Sequence, residues 1–156
     1  MVMGVSGCGK STVGAAFAEA LGGRFLDGDD YHPQSNVDHM AAGHPLTDEM
    51  RWPWLELIAQ AVNAARETSD TVFACSALRR SYRNFLRQRI PQLQVIYLDA
   101  PPELVAERLA ARTDHFMPPS LLESQFATLE VPANTFASLR IDLPLPEMIT
   151  ALERRL

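Results

Sequence analysis

Residues 4–12 read GVSGCGKST, with three glycines, three hydroxyl side chains and a lysine in nine positions. The stretch follows the apolar residues Met1–Met3 and leads into a segment with Val13, Phe17 and Leu21 at four-residue steps. That order reads as the end of a strand, a glycine-rich turn and an amphipathic helix over 10–22 that stops at Gly22-Gly23. Gly4, Gly9, Lys10 and Ser11 satisfy G-x-x-x-x-G-K-[S/T], in the strand-to-helix setting that this pattern requires. The residue types follow from phosphate chemistry. Glycines let the backbone wrap a phosphate chain with its N–H groups turned inward. The helix start adds the positive end of its dipole. Lys10 can reach the β- and γ-phosphates as a point charge, and the Ser11 hydroxyl can face Mg²⁺. Cys8 occupies a free position of the loop and reads as a small filler among the nucleotide-binding residues. Lys10 is the only lysine among 14 basic residues. Arginine, a planar fork, does not replace a compact ammonium in a tight site.

No internal repeats appear, but short apolar runs alternate with longer amphipathic segments along the chain. Strands are expected at 24–27, 71–76, 93–99 and 138–142. Helices are expected at 36–43, 49–67, 80–90, 101–112, 119–129 and 145–155. Alternation of this kind means an α/β fold with a parallel sheet. The 156 residues suit a single domain spanning 1–156, and 47% apolar with 21% charged residues is ordinary globular composition. The first strand, three residues long, is short for a sheet. No run of 18 apolar residues is present, so no membrane partner is expected. A net charge of −5 disfavours nucleic acid as a partner. Two cysteines, Cys8 and Cys75, are too few for a disulfide scaffold, and a reducing, cytoplasmic setting is expected. The histidines, His32, His39, His44 and His115, lack zinc-ligand spacing with the cysteines, and no zinc site is expected.

A guanine-specific N-K-x-D motif is impossible with Lys10 alone, and no D-x-x-G occurs. The carboxylates of LDGDDYHP (26–33) instead suggest a small-molecule kinase. Asp27, Asp29 and Asp30 lie at the carboxyl end of the second strand, where α/β proteins bind ligands. If the backbone stays extended, Asp27 and Asp29 point the same way. One can then support Mg²⁺ while the other takes a substrate hydroxyl, with Asp30 left to cap the turn. Arg108 and Arg112, four apart on one helical face, precede a Pro-containing break, which suggests a cationic lid over roughly 110–120 that closes on the triphosphate. Arg51, Arg79, Arg80 and Arg83 are candidates for an anionic substrate group, though four cannot all touch it. Trp52 and Trp54 read as core or pocket wall.

Taken in order, MGVSGCGKST, FLDGDDYHP, Asn36 with Met40, GHPLTDEMRWPWL, CSALRRSYRNFLR, VIYLDA and RLAARTDHFMPPSLLESQFATLE resemble the bacterial-type gluconokinases through nearly the whole chain. The resemblance implies transfer of the ATP γ-phosphate to the 6-hydroxyl of D-gluconate, giving 6-phospho-D-gluconate. It also implies Mg²⁺, a P-loop fold with a five-stranded parallel sheet flanked by helices, a mobile lid and a homodimer. It assigns phosphate and metal binding to Gly7, Gly9, Lys10, Ser11 and Thr12. Asp27 would support Mg²⁺, Asp29 would meet the accepting hydroxyl, and Arg108 and Arg112 would meet ATP. Arg51, Arg79 and Arg83, with His32, would face the sugar acid. Two other readings stay open: a shikimate-like or nucleoside-type kinase with the same fold, and a P-loop module that binds ATP without catalysis.

Overall fold

A computed structural model describes residues 1–112 and 119–156. Five strands, β1 (Val2–Met3), β2 (Arg24–Asp27), β3 (Thr71–Ala74), β4 (Ile96–Asp99) and β5 (Ala137–Arg140), form one parallel sheet in the order β2-β3-β1-β4-β5. Among the described residues, seven α-helices accompany them: α1 (Lys10–Ala20), α2 (Gln34–Ala41), α3 (Asp48–Arg66), α4 (Arg80–Arg89), α5 (Pro102–Ala110), α6 (Pro119–Thr128) and α7 (Leu145–Glu153). Each expected strand and helix is present, with ends displaced by a few residues. The expected lid falls largely on residues 113–118, outside the described residues.

Side-chain parity builds the two layers, because successive residues of a strand point to opposite faces. Val2, Val72, Ile96, Leu98 and Leu139 share one face with Val13 and Phe17 of α1, Val105 of α5, and Met148 and Leu152 of α7. Met3, Phe73 and Tyr97 face the other way, onto Trp54, Leu55, Ile58 and Val62 of α3 and Tyr82 and Leu86 of α4. Burial of each such large apolar side chain contributes about 1.5–3 kcal/mol.

β1 is the shortest strand, yet it lies at the centre of the sheet. Val2 is in register with Ala74 on one side and Ile96 on the other, and Met3 pairs with Tyr97. Cys75 N–H donates to the Val2 carbonyl at 3.1 Å and so extends the pairing past the end of β3. The fourth strand begins at Ile96 rather than at 93. Gln92 adopts a left-handed conformation (φ 58°), which turns the chain just before the sheet.

Candidate active site

The carboxyl ends of β1 and β2 open on a cavity of about 550 Å³, a size suited to a small ligand. The glycine-rich loop forms its floor. Gly9 caps α1 with φ 98°, a left-handed conformation that a side chain would strain. A methyl group on Gly7 would fall 2.7 Å from Leu109 of α5, so the loop and that helix are in intimate contact. Lys10 Nζ donates to the Val5 carbonyl at 3.0 Å, which arches the side chain back over the loop. Cys8 is buried, and its Sγ would lie 2.7 Å from a methyl group on Gly4, so it fills the loop's interior as expected of a small residue.

Ser11 Oγ donates to Asp27 Oδ2 at 2.5 Å. This joins the first turn of α1 to the end of β2 and puts two hard oxygen donors side by side. Such a pair fits Mg²⁺, which takes one or two protein oxygens and completes its octahedron with phosphate and water.

Beyond Asp27 the strand does not continue. Residues Gly28–Tyr31 form a turn of 3₁₀ helix, and Asp27 Oδ1 accepts the Asp29 N–H at 3.1 Å. The extended geometry expected for Asp27 and Asp29 is therefore corrected. Asp27 caps the turn that carries Asp29, a local competition of side chain with strand that Asp favours. Both still reach the cavity, and Asp30, expected to be a bystander, lines it too. Gly28 makes the turn possible: a methyl group there would sit 2.3 Å from the Ala74 carbonyl oxygen. Trp54 Nε1 donates to the Gly28 carbonyl at 2.7 Å and closes the turn from beneath.

The basic residues separate. Arg51 and Arg112 line the cavity. The Arg51 guanidinium donates to the Leu46 carbonyl and lies 5.2 Å from the centre of the Tyr82 ring. Arg108 donates to the Cys8 carbonyl of the loop at 3.5 Å and to the Ile141 carbonyl at 2.5 Å, and lies 3.7 Å from where a methyl group on Gly9 would be. Arg79 lies outside the cavity lining and pairs with Asp48 at 3.4 Å. Arg80 is exposed, and its backbone N–H donates to Glu130 at 2.5 Å.

Arg83 departs furthest from the substrate role expected of it. It is only 3% exposed, and its Nη1 donates to the carbonyls of Ala77 and Leu78 at 3.0 and 2.9 Å. Ala77 is itself in a left-handed conformation (φ 40°), so Arg83 braces a strained loop rather than facing a substrate. Arg83→Met is expected to destabilise the protein by about 1–3 kcal/mol, because the Ala77 carbonyl loses its donor while the Leu78 carbonyl keeps the Glu130 N–H at 2.9 Å. Denaturant unfolding checks this, and the KM for substrate should change little.

His32 lines the cavity, stacked on Trp54 with ring centroids 4.0 Å apart. Its Nε2 is 3.8 Å from Asp29 Oδ1. Burial holds the imidazole below its usual pKa; Asp29 opposes this and Arg51 reinforces it. The two thiols are pushed the other way, chiefly by burial, with Cys75 reaching about 12. A raised thiol pKa means less thiolate at a given pH. Iodoacetamide at neutral pH is therefore expected to label both cysteines far more slowly in the native protein than in guanidinium, as mass spectrometry would read.

Residues that sequence reasoning left without a role also converge here. Gln125 of α6 accepts the Ser6 N–H at 2.7 Å and donates to Ser6 Oγ at 3.1 Å. Tyr82 lines the cavity and donates its hydroxyl hydrogen to Asp48. Gln125 lies in the quoted QFATLE run, but contact with a loop 119 positions away has no local signal.

A family model for shikimate kinase matches residues 6–134. The chain is 43% identical to the thermosensitive gluconokinase of Escherichia coli K12, over 92% of this chain and 78% of the relative. It belongs to the gluconokinase family. A second relative, the gluconokinase of Gluconobacter oxydans, is also 43% identical, over 96% of this chain and 88% of its own. A solved gluconokinase structure from Sinorhizobium meliloti superposes with a TM-score of 0.86 at 43% identity, covering 99% of this chain and 88% of that one. Membership of this family makes the protein a phosphotransferase that uses ATP. Among the described residues no helix is long and apolar enough to cross a membrane.

Proposed function

We propose that the protein phosphorylates the 6-hydroxyl of D-gluconate with ATP, giving 6-phospho-D-gluconate and ADP. One observation carries the reading. The phosphate loop and the carboxylate turn that mark the family in sequence meet across a single cavity, joined by the hydrogen bond between Ser11 and Asp27. The identity to curated gluconokinases over nearly the whole chain supports gluconate as acceptor.

The loop of Gly4, Gly7, Cys8 and Gly9, with Lys10, Ser11 and Thr12, binds the triphosphate through backbone N–H groups and the Lys10 ammonium. Arg108, which donates to the loop at the Cys8 carbonyl, and Arg112 supply positive charge toward the nucleotide. Ser11 and Asp27 would hold Mg²⁺, which would supply neutralisation of phosphate charge. Asp29 orients the acceptor hydroxyl for nearly in-line attack on the γ-phosphorus. The new O–P bond forms as the bond to the β–γ bridging oxygen breaks, and the hydroxyl proton leaves toward Asp29 or solvent. Positioning of this kind suffices, because the transition state is loose. His32 and Arg51 face the sugar acid, Arg51 offering its fork to the carboxylate. Arg79, outside the lining, reaches the substrate only if its pairing with Asp48 opens. A lid over roughly 110–120, a homodimer and a cytoplasmic location complete the reading.

The test is ADP release from ATP and Mg²⁺ with D-gluconate, with shikimate and with no acceptor. Release that depends on gluconate alone is expected. Release with shikimate instead would transfer the reading to the other acceptor, and acceptor-independent behaviour with retained ATP binding would favour a binding module.

A further inference from the structure

The wall behind His32 contains a buried polar group with a restricted set of partners. Asn36 of α2 is 2% exposed. Its Nδ2 lies 3.0 Å from the Met50 carbonyl oxygen and 3.3 Å from His32 Nδ1. A carbonyl oxygen only accepts, so it selects the NH₂ end of the amide at that position. The NH₂ group has two hydrogens, and two acceptors surround it. His32 Nδ1 therefore accepts, and the ring proton of the neutral imidazole sits on Nε2. That nitrogen faces Asp29 Oδ1. Trp54 fixes the remaining freedom. Its ring lies within 16° of parallel to the imidazole, and its Nε1 holds the Gly28 carbonyl of the same turn that bears Asp29.

We propose that Asn36 is a positioning residue, which sets His32 as the Nε2–H tautomer so that an N–H donor, not a lone pair, faces the Asp29 carboxylate, with Trp54 holding the ring plane. The N–H faces one carboxylate oxygen across 3.8 Å, an electrostatic contact rather than a hydrogen bond, and leaves the other for the acceptor hydroxyl. The reverse tautomer would point a lone pair at Asp29 and repel it. The charged groups facing the ring are Asp29 from the turn and Arg51 from α3; α2 contributes the neutral Asn36. The kinetic half of this proposal rests on Asp29 meeting the acceptor, while the tautomer itself does not.

Long-range ¹H–¹⁵N correlation spectra of the full chain read the tautomer directly, with His32→Gln assigning the signal. A protonated Nε2 and a bare Nδ1 are expected at neutral pH. In Asn36→Asp, whose carboxylate only accepts, the proton should move to Nδ1 or the ring should become imidazolium. Asn36→Ala, which adds no charge, should release the ring to a mixture. For both variants kcat/KM for gluconate should fall by roughly tenfold to a hundredfold, as when the partner orienting a site histidine is lost, with the KM for ATP unchanged. A native His32 carrying its proton on Nδ1, or charged at neutral pH, would overturn the proposal without any variant. So would an altered tautomer with wild-type kinetics. If the native protein showed the expected tautomer but no turnover of gluconate, the acceptor assignment would fail and the tautomer would stand.

Discussion

Lys10→Met is expected to lower turnover by roughly 10²–10³, as loss of a preorganised cationic donor does, while leaving the fold intact. Methionine keeps the length of the stem and removes only the charge. The ammonium lies over the loop, where its own backbone acceptor, the Val5 carbonyl, holds it at 3.0 Å. No second lysine exists in the chain to substitute for it. Arg108 does not stand in, because its guanidinium is engaged with the Cys8 and Ile141 carbonyls. Lys10→Arg should rescue little, since the planar fork is too broad for a cradle in which Gly7 already touches Leu109. Steady-state kinetics with circular dichroism check both halves. A rate near that of the wild type would remove Lys10 from the chemistry.

Asp29→Asn should cost a similar factor, roughly 10²–10³ in kcat, but with a different signature. ATP affinity should hold, because the carboxylate we propose for the metal is Asp27, which is bonded to Ser11. The turn should also survive, because Asp27 caps it through the Asp29 backbone N–H rather than through the Asp29 side chain. The loss should therefore appear in acceptor-dependent turnover and not in nucleotide binding by calorimetry. Loss of ATP binding in parallel would place Asp29 among the metal ligands instead.

The parts of this molecule legible in the sequence are those governed by local rules. The glycine-rich loop and the strand–helix alternation follow from spacing and period, and the parallel sheet follows from them. The bend after Asp27 was not legible, because a side chain capping its own backbone looks like a strand continuing. The fates of the arginines were hidden for another reason. Arg51, Arg79 and Arg83 have the same chemistry, and only the tertiary fold decides that one lines the cavity, one pairs with Asp48 and one props up Ala77 and Leu78. Asn36 and Gln125 act through contacts that no short window contains: Asn36 reaches Met50 across 14 positions and Gln125 reaches Ser6 across 119.

The two hydrogen bonds between Gln125 and Ser6 tie α6 to the phosphate loop. Leu109 against Gly7 ties α5 to the same loop. The two helices that flank residues 113–118 therefore share one foundation, the glycine-rich loop. Thermodynamic linkage makes such an arrangement symmetrical: whatever free energy bound nucleotide lends to the order of α6, the order of α6 returns to the affinity for nucleotide. In this family member, holding ATP on that loop and holding α6 in place would be two readings of a single coupling energy.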